Sequence, residues 1–279
     1  MVLDVYDTFN CEVHEKDSAD NAVISKPTMS ILDQYKHLPL WNVVDEELQE
    51  GYFEVPSSCS SIQDFTFSHL VKLEILDMSK CSLIKNLGRI SPYCPKLRKV
   101  ILPPNCESLC ETFIGCRQLQ EVVGLSRVKS IGTDSFADCQ SLKFADLSAC
   151  EYVGFNAFAN CIQLKEVVFG CIPSLVLNSH AFLMCRTLKN VHIPKKCKVS
   201  LGQEVFAYCS NLETISAQFP EFLDDNTFIG CYKLHRIDTD CKYGISSFNI
   251  KNLPYELWEK QKQKIGETKN GKNISSSKN

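Results

Sequence analysis

Residues 130–147 read SIGTDSFADCQSLKFADL, and this stretch decides the fold because it recurs. Residues 157–169 carry AFANCIQLKEVVF, and residues 181–194 carry AFLMCRTLKNVHIP. The shared unit is F-x-x-C-x-x-L-x-x-V/I. It appears as Phe113-Cys116-Leu119-Val122, Phe136-Cys139-Leu142-Ala145 and Phe158-Cys161-Leu164-Val167. It continues as Phe182-Cys185-Leu188-Val191, Phe206-Cys209-Leu212-Ile215 and Phe228-Cys231-Leu234-Ile237. Two earlier copies are degraded: Phe67-Leu70-Leu73-Leu76 has Leu in place of Cys, and Ser91-Cys94-Leu97-Val100 has Ser in place of Phe. Successive starts lie 24, 22, 23, 22, 24, 24 and 22 residues apart. A fixed period of roughly 20–50 residues is the mark of a stacked array.

Each copy has a physical reading. Leu188-Lys189-Asn190-Val191-His192-Ile193 ends in apolar–polar alternation and is rich in β-formers, which predicts a short strand. Pro103 and Pro194 follow such strands and end them, since Pro cannot donate to a ladder. A further apolar residue precedes the Phe by five: Ile62, Ile131, Val153, Leu177, Leu201 and Leu223. The segment from Phe to Leu reads as one or two helical turns with both side chains facing inward. One strand and one short helix cannot bury their own apolar face, so neighbouring copies must stack to make a core.

The period falls within that of leucine-rich repeats. The three quoted stretches resemble BspA-like (Treponema pallidum-type) leucine-rich repeats, whose form is I-G-x-x-A-F-x-x-C-x-x-L-x-x-I-x-I-P. The resemblance spans about residues 48–250. It implies an α/β repeat fold: a solenoid of eight to nine rungs, with a concave parallel sheet and short helices or turns on the convex side. It also implies a protein-binding module without catalysis or cofactor. Many members are surface or secreted proteins implicated in adhesion. This chain shows neither a signal peptide nor an anchor, so the expected address is the cytosol, with the cell surface by an unconventional route as the alternative.

Charge is unevenly spread about a formal net of -3. Residues 1–64 hold thirteen acids against Lys16, Lys26 and Lys36, while residues 251–279 hold seven lysines against Glu256, Glu259 and Glu267. The balance does not suit a nucleic-acid binder, and no apolar run is long enough to span a membrane. The expected organisation is a flexible acidic head (1–27), an amino-terminal cap (28–58), the solenoid (59–250), a capping helix (251–265) and a disordered basic tail (266–279). A monomer is expected.

Sixteen cysteines are the one odd count. Seven share the position three after the Phe (Cys94, Cys116, Cys139, Cys161, Cys185, Cys209, Cys231). Seven more sit near the turn after the strand: Cys59, Cys81, Cys106, Cys150, Cys171, Cys197 and Cys241. Zinc would need close pairs, and Cys106 with Cys110 is the lone one. Disulfides between rungs are sterically open, but identical positions give no unique pairing. The third reading, small buried thiols filling a slot of constant size, is preferred. No metal-binding histidine pair, phosphate-binding glycine loop or nucleophile elbow occurs, so the chain is not expected to be an enzyme.

The candidate site is therefore a surface. Residues alternating with the core Val or Ile of each strand point away from the core. Among them Lys99, Ile101, Glu121, Val123, Phe144, Asp146, Glu166, Val168 and His192 are the expected protein-binding residues. Ile101, Val123, Phe144 and Val168 come from four successive repeats and are expected to adjoin in one apolar patch. The function expected is a scaffold or recognition module. A cell-surface adhesin, or the substrate-recognition subunit of a larger enzyme complex, stands as the alternative.

Overall fold

A computed structural model describes residues 23–24, 43, 45, 48, 50–219 and 223–238. Each repeat becomes one rung of a parallel β-solenoid, and corresponding residues of successive rungs lie one above another. The expected strand forms in every rung. Tyr52–Glu54, Ile75–Asp77, Lys99–Ile101 and Glu121–Val123 make one parallel sheet. Phe144–Leu147, Glu166–Phe169, Asn190–His192, Thr214–Ser216 and Arg236–Asp238 make a second sheet on the same face.

A further face lay hidden in the apolar residues five before each Phe. Asn86–Leu87, Ser108–Leu109, Ser130–Ile131, Tyr152–Val153, Ser174–Leu177 and Lys198–Leu201 form a continuous six-stranded parallel sheet. Ile131, Val153, Leu177 and Leu201 are the inward anchors of this sheet. Val23–Ile24, within the acidic head, pairs in parallel with Ser61–Ile62. Residues 28–42 of the expected amino-terminal cap, the capping helix expected at 251–265 and the basic tail lie outside the described residues.

The expected short helices are corrected. The segment from Phe to Leu is a series of tight turns in every described rung. The cause is backbone handedness. The residues two before and two after the Phe adopt positive φ, as in Asp134 and Asp138 (50° and 60°) and Asn156 and Asn160 (53° and 61°). A left-handed residue every fourth position forbids a continuous right-handed helix. The freed amides bond to the next rung instead: Phe136 N–H donates to Ala157 O at 2.8 Å, and Asp138 N–H to Ala159 O at 2.9 Å.

Inside, the repeat residues form columns. Phe113, Phe136, Phe158, Phe182 and Phe206 stack with ring centroids 5.1 to 5.6 Å apart. Their exposure is nil. Each such ring contributes about 2–3 kcal/mol by leaving water. The seven cysteines after the Phe are also buried, and their thiols do more than fill space. Cys139 Sγ donates to Phe113 O at 3.3 Å, Cys161 Sγ to Phe136 O at 3.1 Å and Cys185 Sγ to Phe158 O at 3.2 Å. Cys209 and Cys231 repeat the bond to Phe182 and Phe206. Cysteine is thus a small apolar residue that also ties each rung to the carbonyl of the one before. Cys171 departs from its group: it is exposed.

Candidate functional site

The strand face presents two rows of side chains. Cα register places Tyr52, Ile75, Lys99 and Glu121 in one row and Glu54, Asp77, Ile101 and Val123 in the other. In the second sheet the rows are Phe144, Glu166, Asn190, Thr214, Arg236 and Asp146, Val168, His192, Ser216, Asp238. All nine expected residues lie on this face with their side chains away from the core.

The apolar patch is corrected in its geometry. Ile101 and Val123 are neighbours in register. Phe144, however, shares its row with Glu166, and Val168 neighbours Asp146 and His192. The four apolar residues therefore do not form one contiguous row. Phe144 and Val123 are the exposed ones, at 47% and 37%, while Ile101 and Val168 are half-buried. Counting outward from each Phe separates the two rows: Phe144 and Glu121 both lie eight residues on, whereas Val123 lies ten on.

Polar partners organise the rest. Lys99 Nζ meets Glu121 Oε2 at 2.9 Å across two rungs. His192 Nδ1 lies 2.5 Å from Ser216 Oγ, and Thr214 Oγ1 donates to Asn190 Oδ1 at 2.7 Å. At the amino-terminal end Tyr52 OH donates to Asp77 Oδ2 at 3.0 Å, and Lys80 Nζ bonds Glu54 Oε1 at 2.7 Å. Desolvation, with the Asp77 and Glu54 carboxylates, pushes the Tyr52 phenol up to about 12. Desolvation works to raise the Asp77 carboxyl, but hydrogen bonds from Ser79 and Tyr52 outweigh it and hold it below its usual range. This tyrosine–carboxylate cluster went unremarked in the sequence, because its members come from separate rungs.

The chemistry available here is that of contact. Lys99 is paired with Glu121 across two rungs, and the exposed Val123 and Phe144 lie on the same face. Among the described residues no three His, Cys, Asp or Glu side chains converge as a metal site would need. No helix among them is long and apolar enough to cross a membrane.

The chain is similar to solved leucine-rich repeat proteins. A leucine-rich repeat protein from Eubacterium ventriosum aligns at 19% identity with a TM-score of 0.50, over 58% of this chain and 44% of that one. The chain thus spans less than half the length of that protein, and the likeness shows the fold alone. A Bacteroides ovatus leucine-rich repeat protein aligns at 19% identity and a TM-score of 0.41, over 80% of this chain and 70% of that one. The T. pallidum leucine-rich repeat protein aligns at 18% identity and a TM-score of 0.31, over 68% and 71%. No curated protein matches the sequence. The model of the BspA type leucine-rich repeat region matches six copies, over residues 47–143 and 143–253. Those spans include the described rungs, and the chain belongs to the BspA-type leucine-rich repeat family.

Proposed function

We propose that this chain is a non-catalytic scaffold that recognises another protein through its strand face. The observation that carries the reading is the exposure of Phe144 and Val123 on a strand face that also carries the Lys99–Glu121 pair, Asp146, Glu166 and His192. Large apolar side chains ringed by charge are the usual centre of a binding hot spot, and their burial by a partner is favourable where a flat polar face offers little. A column of free, buried thiols suits a reducing compartment, so a cytosolic address forms part of the same proposal.

The test is an affinity capture from a lysate of the source cell, comparing wild type with Phe144→Asp. A partner retained by the wild type and lost from the variant supports the reading. Equal retention by both removes the strand face from consideration. Because the Phe144 side chain is exposed, the variant should keep the wild-type unfolding midpoint, and this is checked in parallel.

A further inference from the structure

The six-stranded sheet presents a second outward face, on another side of the rungs from the strand face. One column on it carries charge of alternating sign. Lys85, Glu107, Lys129 and Glu151 each stand just before the strand of their rung. Main-chain bonds stack them: Glu107 N–H donates to Lys85 O at 2.6 Å, Lys129 N–H to Glu107 O at 2.9 Å and Glu151 N–H to Lys129 O at 2.8 Å. The column stops there, because register places the buried Leu175 after Glu151. Lys85, Lys129 and Glu151 are exposed, and the Glu107 side chain is 47% exposed.

The rows on either side add no competing charge pattern. Next to the column, register aligns Asn86, Ser108, Ser130 and Tyr152, with the two small serines at the middle. On its other side, two residues before each charge, come Leu83, Asn105, Arg127 and Ala149, and Leu83 is 59% exposed. Glu111 and Asp134 lie past the uncharged row, at left-handed turn positions with φ 51° and 50°, and Glu111 is paired with Arg89. Within the chain the column itself is only partly satisfied. Lys129 Nζ meets Glu107 Oε2 at 3.2 Å, but Lys85 and Glu151 have no ion-pair partner among the described residues.

The order Lys-Glu-Lys-Glu is complementary to itself. Reversed end for end it reads Glu-Lys-Glu-Lys, opposite in sign at every place. A second copy can be turned about a two-fold axis that lies in the face, across the rungs, between Glu107 and Lys129. That operation sets Lys85 against Glu151 of the second copy and Glu107 against Lys129, and each contact occurs twice. It also brings Ser108 against Ser130, Leu83 beside Ala149 and Asn105 beside Arg127, so no like charges meet in these three rows. Copies facing in the same direction would oppose Lys to Lys and Glu to Glu, as would antiparallel copies slipped by one rung. Like charges so placed exclude those arrangements and fix the register.

We propose that this face joins two copies of the chain, antiparallel, with the two-fold axis between Glu107 and Lys129. A two-fold contact needs a patch complementary to itself, and the charge column supplies one. Lys85 and Glu151 gain in the dimer the partners they lack in the single chain. The inference departs from the monomer expected from the sequence. It is independent of the strand-face reading of function, since the dimer leaves Phe144 and Val123 uncovered on their own side of the rungs.

The test is sedimentation equilibrium of the full chain at about 0.2 mM and low salt, where screening is least. Wild type should reach twice the 31.5 kDa of the single chain. Lys85→Glu and Glu151→Lys each turn two attractions into two repulsions, so each variant alone should associate about tenfold more weakly or worse. Mixed in equal amounts, the two variants should recover the dimer, because each supplies the charge that the other lacks. Both positions are exposed, so both variants should keep the wild-type unfolding midpoint. Phe144→Asp should leave the dimer intact. A wild-type monomer at this concentration overturns the proposal, as does a dimer that neither charge variant weakens. A mixture that stays monomeric overturns it too. Growth beyond the dimer means a head-to-tail contact and overturns the two-fold one. Loss of the dimer in Phe144→Asp places self-association on the strand face and overturns it as well.

Discussion

The ring of Tyr208 lies over Gly230, the residue at the same place in the next rung. A Cβ on Gly230 would come within 2.6 Å of Tyr208 Cδ1. Tyr93 covers Gly115 in the same way. Both glycines hold positive φ, 73° and 71°, at the left-handed position just before the column cysteine. The pairing lets a large aromatic occupy a turn where the rungs are too close for two side chains.

Gly230→Ala should therefore lower stability on two counts, strained backbone and displaced ring, by about 1–3 kcal/mol in total. The double variant Gly230→Ala with Tyr208→Ala should lose less than the sum of the two single changes. Denaturant unfolding of the four proteins gives the coupling directly. Strict additivity would show that the ring and the glycine do not constrain each other.

How much of this was readable in the sequence divides along physical lines. Phe136, Leu142 and their equivalents declared the core, because burial at a fixed period needs only residue type and spacing. The turns did not declare themselves, because F-x-x-C-x-x-L has the spacing of a helical face as well as of a turn ladder. The contrary signal was present in Asp138, Asn160, Gly115 and Gly230, residue types that tolerate left-handed backbone. On the binding face, Lys99 with Glu121 and the exposure of Phe144 follow from alternation alone. The missing pairing between Glu121–Val123 and Phe144–Leu147 does not, since it goes with Gly124, where other rungs place a buried apolar residue such as Leu102 or Ile193, rather than with anything in the outward residues.

The thiols predict an alkaline limit to stability. Burial pushes the Cys106 and Cys150 thiols up to about 12, and those of Cys116, Cys139 and Cys185 also well above the ordinary value. In the unfolded chain each thiol ionises near pH 8.5. Above that pH the unfolded state sheds protons that the folded state keeps. Stability is thus full below about pH 8 and falls as pH rises toward 12, by about 1.4 kcal/mol per pH unit for each such thiol. Denaturant midpoints measured from pH 7 to 11 should fall steeply above pH 9. A flat profile would mean that these five thiols are not held neutral.

Reactivity should follow the same division. Exposed Cys171 is expected to react with iodoacetamide in the native protein. Cys139, Cys161 and Cys185, fully buried and hydrogen-bonded to the preceding rung, should label only after denaturation. Mass mapping of alkylated peptides separates the two groups. Native labelling of the column at a rate like that of Cys171 would contradict the packing described.

Thr227 offers the opposite kind of change, one that should strengthen the protein. Its hydroxyl is buried with no hydrogen-bond partner, as is that of Ser91, which stands where other rungs place a Phe. A buried hydroxyl without a partner forfeits its bonds to water and gains none in return. Valine has nearly the shape of threonine and none of that loss. Thr227→Val should therefore raise stability by about 1 kcal/mol, read as a higher denaturant midpoint at unchanged slope. A lower midpoint would show that the hydroxyl has a partner in solution, such as a bound water between the last two described rungs. Ser91→Ala tests the same argument at the other end of the column, and the two effects should add because several rungs separate them.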